Sequence, residues 1–495
     1  MNSAAAAGFP IVLTAINARH SHTALGIRCL KANLGARRGD AALLEFTLQH
    51  SPPEMAEQIL SLNPSLVGLG VYIWNVRPAA DLFHILKGVR PDITLVAGGP
   101  EVSHEPESWP GFDAADIIIQ GEAEQAFAEC ADAVLGGRKT GGKIVQAQAP
   151  PLESLASPYA LYTEEDIAHR LVYVEASRGC PFHCAFCLSS LDKQVREFPS
   201  SFFFAEMEHL LSRGVRQFKF LDRTFNLRGA RVHEILSFFL ERWRPEMRLH
   251  FEIVPELVND DLLAAFARFP EGGLHLEAGV QSLSPETLRR IGRTGGPGQT
   301  LRALARLRTE TGALIHADLI AGLPGEDLDS FAAGFDRLMA LQPHELQLGI
   351  LKRLRGAPVA GPEFSGILTF NPAPPYEILR SDAMDFETLQ RVKRTARFVD
   401  LYHNSGQFPE SLPLMWRNGE SPFKRLGTLG EKVWRATGKT HELSLATLAC
   451  HLHAHLLGCG VPEMEANEAI IRDFHRKPGR KNILPFMNPG APPMH

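Results

Sequence analysis

The chain has 495 residues, a net charge of −5, 44% hydrophobic and 22% charged residues, the profile of a globular protein of about three domains. No apolar run reaches the ~20 residues a membrane span needs, and no basic excess points to nucleic acid. Seven cysteines, three of them in one loop, make no disulfide framework and suit a reducing, cytoplasmic setting. The alanine run at 4–7 is short, lacks a basic flank and does not read as a signal peptide.

In chain order, residues 1–145 alternate strand and helix. Apolar strand patterns at 10–16, 41–47, 66–72, 93–97 and 115–119 are separated by helical patterns at 22–34, 53–62 and 78–89. This alternation predicts a doubly wound, Rossmann-like parallel sheet. Ligands of such sheets sit at the carboxyl ends of the strands, so the loops at 17–22, 72–76, 98–104 and 121–124 should converge. They carry Asn17, His20, His22, Gly98, Gly99, Gly121 and Glu122. His20 or His22 could ligate or hydrogen-bond a ligand there; equally, His22 could cap the helix that follows.

Residues 141–158, rich in Gly, Gln, Ala and Pro, read as a linker. From 171 the alternation resumes, with strands at 171–176, 217–221, 248–253, 274–278, 314–320 and 345–350. Directly after the first of these, Cys180, Cys184 and Cys187 stand at CxxxCxxC spacing. Three thiolates on one short loop can face a single iron–sulfur cluster, and because clusters usually take four, one iron is left open for chemistry. A zinc loop is the other reading, but zinc asks for a fourth Cys or His, and His183 lies awkwardly inside the loop. From about 360 the alternation gives way to helical patterns at 386–402 and 442–457. His451 and His455 share a helix face beside Cys450 and Cys459, and read as incidental histidines of a buried helix, since no third ligand is evident nearby.

The phrase Ser177-Arg178-Gly179-Cys180-Pro181-Phe182-His183-Cys184-Ala185-Phe186-Cys187 resembles the signature of radical S-adenosylmethionine (SAM) enzymes. The resemblance implies a partial (β/α)6 barrel at 146–358, with a [4Fe-4S] cluster on the three cysteines. The strand–Gly-Gly-Pro and strand–Gly-Glu steps of residues 1–145 resemble the cobalamin-binding domain that precedes many such barrels, although its DxHxxG motif is absent. Residues 359–495 resemble the mainly helical C-terminal domain, of unassigned function, in one cobalamin-type family.

By the same resemblance the strand ends hold SAM. Asp222 and Arg223 stand where a Gly-Gly-Glu step is usual, and would take its amino and carboxylate groups. Glu277, Gln281 and Arg293 would offer polar contacts, Gly322 would let its loop approach the adenine, and Phe186 would lie against that ring. Each has a structural reading too: an Asp222–Arg223 ion pair, a barrel-core hydrogen bond for Glu277, simple packing for Phe186.

The expected function is reductive SAM cleavage with cobalamin-assisted methyl transfer to an unactivated centre of a small-molecule or peptide substrate. Flavodoxin or ferredoxin would supply the electron. A second enzyme reading drops cobalamin and transfers the 3-amino-3-carboxypropyl group of SAM to a thiolate or an arsenical. A third, of another class, is a non-catalytic iron–sulfur or cobalamin-binding sensor.

Overall fold

The computed structural model describes residues 8–476 together with 484 and 486. The alanine run at 4–7 lies outside them.

Six strands, β1 (Ile11–Asn17), β2 (Ala41–Thr47), β3 (Leu66–Gly70), β4 (Thr94–Gly98), β5 (Ile117–Gln120) and β6 (Ile144–Gln146), pair in the order β2-β1-β3-β4-β5-β6, all parallel. Between them run α1 (Leu25–Ala32), α2 (Pro52–Ser61), α3 (Val76–Val89), the single turn α4 (Pro100–Ser103) and α5 (Glu124–Leu135). β1 is buried at every position. Both faces of a doubly wound sheet are covered, so its strands read as near-continuous apolar runs. One core packs α2 and α3 on Val12, Val67 and Leu95; the other packs α1 and α5 on Ile11, Leu13 and Val96. β6 is a difference from the sequence reading. Three residues of the stretch taken as a linker extend the sheet at its edge, across the expected 145/146 boundary.

A short helix, α6 (Glu164–His169), leads into the second sheet. It is opened by a capping box between Thr163 and Asp166. The six expected barrel strands all form: β7 (Val172–Val174), β10 (Gln217–Phe220), β11 (Arg248–Ile253), β12 (Leu274–Gln281), β13 (Leu314–Ala321) and β14 (Glu345–Ile350), with the hairpin β8 (Ser177–Arg178) and β9 (Arg196–Glu197) after the first. The order is β14-β13-β12-β11-β10-β7, parallel throughout. Helices α7 (Ser200–Ser212), α8 (Gly229–Glu241), α9 (Asp260–Ala267), α10 (Pro285–Arg290), α11 (Pro297–Glu310) and α12 (Leu328–Met339) cover the outside. The sheet is a partial barrel, open between β7 and β14.

Among the described residues the C-terminal region has a small hairpin, β15 (Thr369–Phe370) and β16 (Ile378–Arg380), and the helices α13 (Phe386–Val399), α14 (Pro422–Thr437), α15 (Leu445–Gly458) and α16 (Glu463–His475). Its apolar residues join the barrel's in one continuous core. Past α13 the chain winds through a π-turn, and Asn404 meets the edge strand there. Its Oδ1 accepts from Leu346 N at 2.9 Å and its Nδ2 donates to Leu346 O at 3.1 Å. One side-chain amide thus stands in for the missing neighbour strand of β14.

Lys352, Arg353 and Arg355 read as a solvated or interdomain basic cluster. Arg355 is buried at 5% exposure, donates to the carbonyl of Glu101 and to Tyr376 Oη at 2.8 Å, and ties the N-terminal domain to the C-terminal region. Arg353 pairs with Glu105 at 2.7 Å.

Candidate active site

The cysteine loop is fixed by backbone bonds before any ligand is considered. Gly179, at φ +93°, turns the chain where an added Cβ would strike the carbonyl of Gln194. Cys180 N donates to Asp192 O and Ala185 N to Ile291 O, both at 2.9 Å. Cys180 is buried with its Sγ 3.6 Å from Thr224 Oγ1; Cys184 and Cys187 are half-buried, and His183 is exposed. Burial pushes the Cys184 thiol up, while Arg293 beside it pulls the other way. The donor set of three thiols on one short loop, with no fourth Cys or His in the loop but the exposed His183, is that of an iron–sulfur cluster with one open iron.

Above the loop, between the two sheets, lies a cavity of about 830 Å³. Its depth is apolar, reaching Ile27, Val96, Ile119 and Phe127 between the first sheet and its helices α1 and α5. Its mouth is polar and shared, with Asn17, His22 and Glu122 from one domain facing Tyr173, Arg178 and Arg223 from the other. An apolar slot opening on a broad polar mouth fits a flat macrocycle with a tail, which is the shape of cobalamin.

The expected loops do converge on this cavity. Gly98 and Gly99 line it; at Gly99 (φ +97°) an added Cβ would lie 2.8 Å from Val71 O, so the turn admits only glycine. Asn17 donates to His22 O at 3.1 Å and to Glu45 at 2.7 Å, holding the first loop shut. His22 does not cap α1, whose N-cap Ala24 has no side-chain bond; its Nδ1 meets Tyr173 Oη at 2.5 Å across the domains. Burial, with Lys219 and two arginines nearby, keeps that imidazole below its ordinary pKa and so neutral. His20 is exposed, and lies outside the cavity wall. Gly121 donates to Ser103 Oγ at 3.2 Å, and Glu122 ion-pairs with Arg178 at 2.7 Å and with Arg196.

The SAM candidates are less evenly placed. Arg223 is half-exposed in the cavity, 3.6 Å from Glu252, and can swing to a carboxylate. Asp222 is 3% exposed and already occupied. It accepts from Ala176 N at 2.9 Å and Ser177 Oγ at 2.5 Å, a brace between β10 and the entry to the cysteine loop, and burial raises its pKa to about 6. Arg293 donates to Gly279 O and sits between Cys184 and Glu256. Gln281 holds φ +70° at a bulge on β12, a strained conformation for a residue with a side chain. Phe186 is half-buried against the barrel core. At Gly322 the room a side chain would take is filled by Ile378 and Leu389, so this glycine admits the C-terminal hairpin. Glu326 turns inward to Ser282, and its neighbour Asp327 caps α12, accepting from Ser330 N at 2.8 Å.

Burial holds the Glu326 carboxyl at about 7 despite the Ser282 hydrogen bond. A carboxyl raised above its unfolded value of about 4.3 favours folding fully below that pH and loses the contribution as pH rises through about 7. Glu326→Gln should therefore flatten the fall in unfolding free energy between pH 5 and 8, and at pH 8 be more stable than the parent by on the order of 3 kcal/mol in urea unfolding. A parallel pH profile of the two proteins would exclude this assignment.

Glu277 faces the barrel interior. Burial opposes its ionisation, yet His250 at 2.7 Å and Lys219 at 3.5 Å hold its pKa down at about 2. Glu277 is thus one of a polar set on the inner faces of β10 to β14.

The sequence reading missed the residue that joins the parts. Arg178, directly before Gly179, bridges Glu122 (2.7 Å), Glu124 (2.8 Å) and Glu175 (2.7 Å). It sat in the quoted motif, but its partners lie up to 56 residues away in the chain.

Residues 11–131 match the B12 binding domain family, residues 174–338 the Radical SAM superfamily, and residues 367–489 a protein family of unknown function, DUF4080. The chain pairs a B12-binding domain with a radical SAM domain. The radical SAM domain implies a [4Fe-4S] cluster and SAM, and the B12-binding domain implies cobalamin. An uncharacterized methyltransferase of Pyrococcus horikoshii is 27% identical over 57% of this chain and 65% of its own length. The cobalamin-dependent radical SAM methyltransferase TokK of Streptomyces tokunonensis is 26% identical over 63% of this chain. The chain spans half the length of TokK. The solved radical SAM methyltransferase TsrM of Kitasatospora setae, with cobalamin and a [4Fe-4S] cluster bound, shares the fold at a TM-score of 0.62 and 18% identity, covering 94% of this chain and all of that one. No helix among the described residues of this radical SAM protein is long and apolar enough to cross a membrane.

Proposed function

We propose that this chain is a cobalamin-dependent radical SAM methyltransferase acting on an unactivated centre of a small-molecule or peptide substrate. The observation that carries the reading is the shared mouth, where one cavity is walled by the carboxyl ends of the first sheet and by Arg178, Gly179, Leu221 and Arg223 beside the cysteine loop. When bound, the cluster supplies the electron for SAM cleavage and cobalamin supplies a methyl carrier.

Cys180, Cys184 and Cys187 hold the cluster. Arg223 and Arg293 lie within reach of a SAM carboxylate beside it, and Asp222 fixes the loop entry. Gly98 and Gly99 admit the macrocycle tail, and the neutral His22–Tyr173 pair seals the interdomain wall against water. A flavodoxin or ferredoxin of the reducing cytosol would reduce the cluster. The relatives are named as methyltransferases, which favours methyl over 3-amino-3-carboxypropyl transfer.

Anaerobic reconstitution with iron, sulfide and cobalamin, followed by addition of SAM and a chemical reductant and by mass spectrometry, tests the proposal. S-adenosylhomocysteine should form only when cobalamin is present. Methylthioadenosine as the main product, or a yield indifferent to cobalamin, would overturn it.

A further inference from the structure

The inner faces of β11, β12 and β13 bring three imidazoles into a row near their N-terminal ends, opposite the end that carries the cysteine loop. His250 and His275 stack with ring centroids 4.3 Å apart, and His275 and His316 follow at 5.7 Å. On β14, Glu345 is paired in register with His316, and its carboxylate lies 3.6 Å from His316 Nδ1. One ligand atom each from His275, His316 and Glu345 falls within 4.8 Å of the other two. His250 is bonded to Glu277, but the other two imidazoles keep ring nitrogens that no hydrogen bond takes up. His275 Nε2 and both ring nitrogens of His316 are buried without a hydrogen-bond partner, a condition native cores rarely leave uncorrected. Asp318 Oδ1 stands 3.0 Å from His316 Nε2, out of line for a hydrogen bond.

We propose that His275, His316 and Glu345 bind one divalent first-row transition ion in the floor of the barrel, a site separate from the iron–sulfur loop and independent of the methyltransferase reading. Two imidazoles and one carboxylate are a donor set that such ions favour. Coordination through His316 Nδ1 commits the proton to Nε2 and turns it towards Asp318, giving the carboxylate–histidine–metal arrangement of stable sites. It also takes up buried ring nitrogens that no hydrogen bond satisfies. Entry is from the floor, because Glu345 is 44% exposed. The ion would tie β12, β13 and the edge strand β14 together, at the side where the barrel stays open.

Cobalt(II) is the probe. The full chain carrying Cys180→Ser, Cys184→Ser and Cys187→Ser cannot hold cobalt in the loop. It should bind one equivalent, with ligand-field bands in the visible and no sulfur-to-cobalt charge-transfer band, and its thermal midpoint should rise. Glu345→Gln and His316→Gln should each weaken binding by about tenfold or more. Glu345 is half-exposed, so its variant tests the ligand without disturbing the core, and circular dichroism would show the fold retained. Failure to take up a stoichiometric equivalent overturns the site. So does binding unchanged by either substitution, or binding lost instead on replacing His451 and His455.

Discussion

Cys184→Ala should abolish SAM consumption altogether, while Cys459→Ala leaves it at the parental rate. Cys184 sits between the other two loop thiols and Arg293. With only three thiols available, none is spare. The loss should exceed the roughly 10–100-fold typical of outer-shell changes, because a direct ligand is removed. Iron content and visible absorbance of the reconstituted protein should fall together with turnover. Full turnover with two loop cysteines would place the cluster elsewhere.

The largest effect on stability should come from Asp166→Ala. Arg28 and Arg170 form a closed square with Glu45 and Asp166, at 2.6, 2.7, 2.7 and 2.8 Å. Every member is at most 11% exposed, and Asp166 also completes the capping box that opens α6. Removing one acid leaves two buried guanidinium groups on a single carboxylate and frays the helix. Breaking a buried pair from one side costs about 3–5 kcal/mol. Urea unfolding should show the denaturation midpoint lowered accordingly. Asp260→Ala breaks the exposed pair with Arg306 and should move nothing measurable. Equal shifts in the two variants would refute the argument from burial.

Both sheets were legible because a parallel strand covered on two faces is a near-continuous apolar run. β1 and β3 are such runs, and the helices between them keep the 3.6-residue period. β6 was not legible, since three residues among glycines and alanines carry no periodicity. The barrel floor was hidden for a different reason. In β11, β12 and β13 the segments LHFEI, LHLEA and IHADLI alternate polar with apolar, enough to name strands. That the polar halves of three strands meet depends on register: Glu252 pairs with Glu277, and Glu277 with His316, which no local pattern encodes. Asp222 lies just past β10, where its position suggests a ligand contact, yet its partners are the Ala176 N–H and the Ser177 hydroxyl, 46 and 45 residues back in the chain. The cysteines are the reverse case, because their spacing alone carries the cluster proposal.

Arg178 is one residue from the turn at Gly179 and two from Cys180, while two of its three carboxylates, Glu122 and Glu124, belong to the first sheet's domain. Lifting that domain to admit so large a guest as a corrin would therefore drag on the peptide that carries a cluster ligand. The two halves of the site are thus coupled through a single guanidinium.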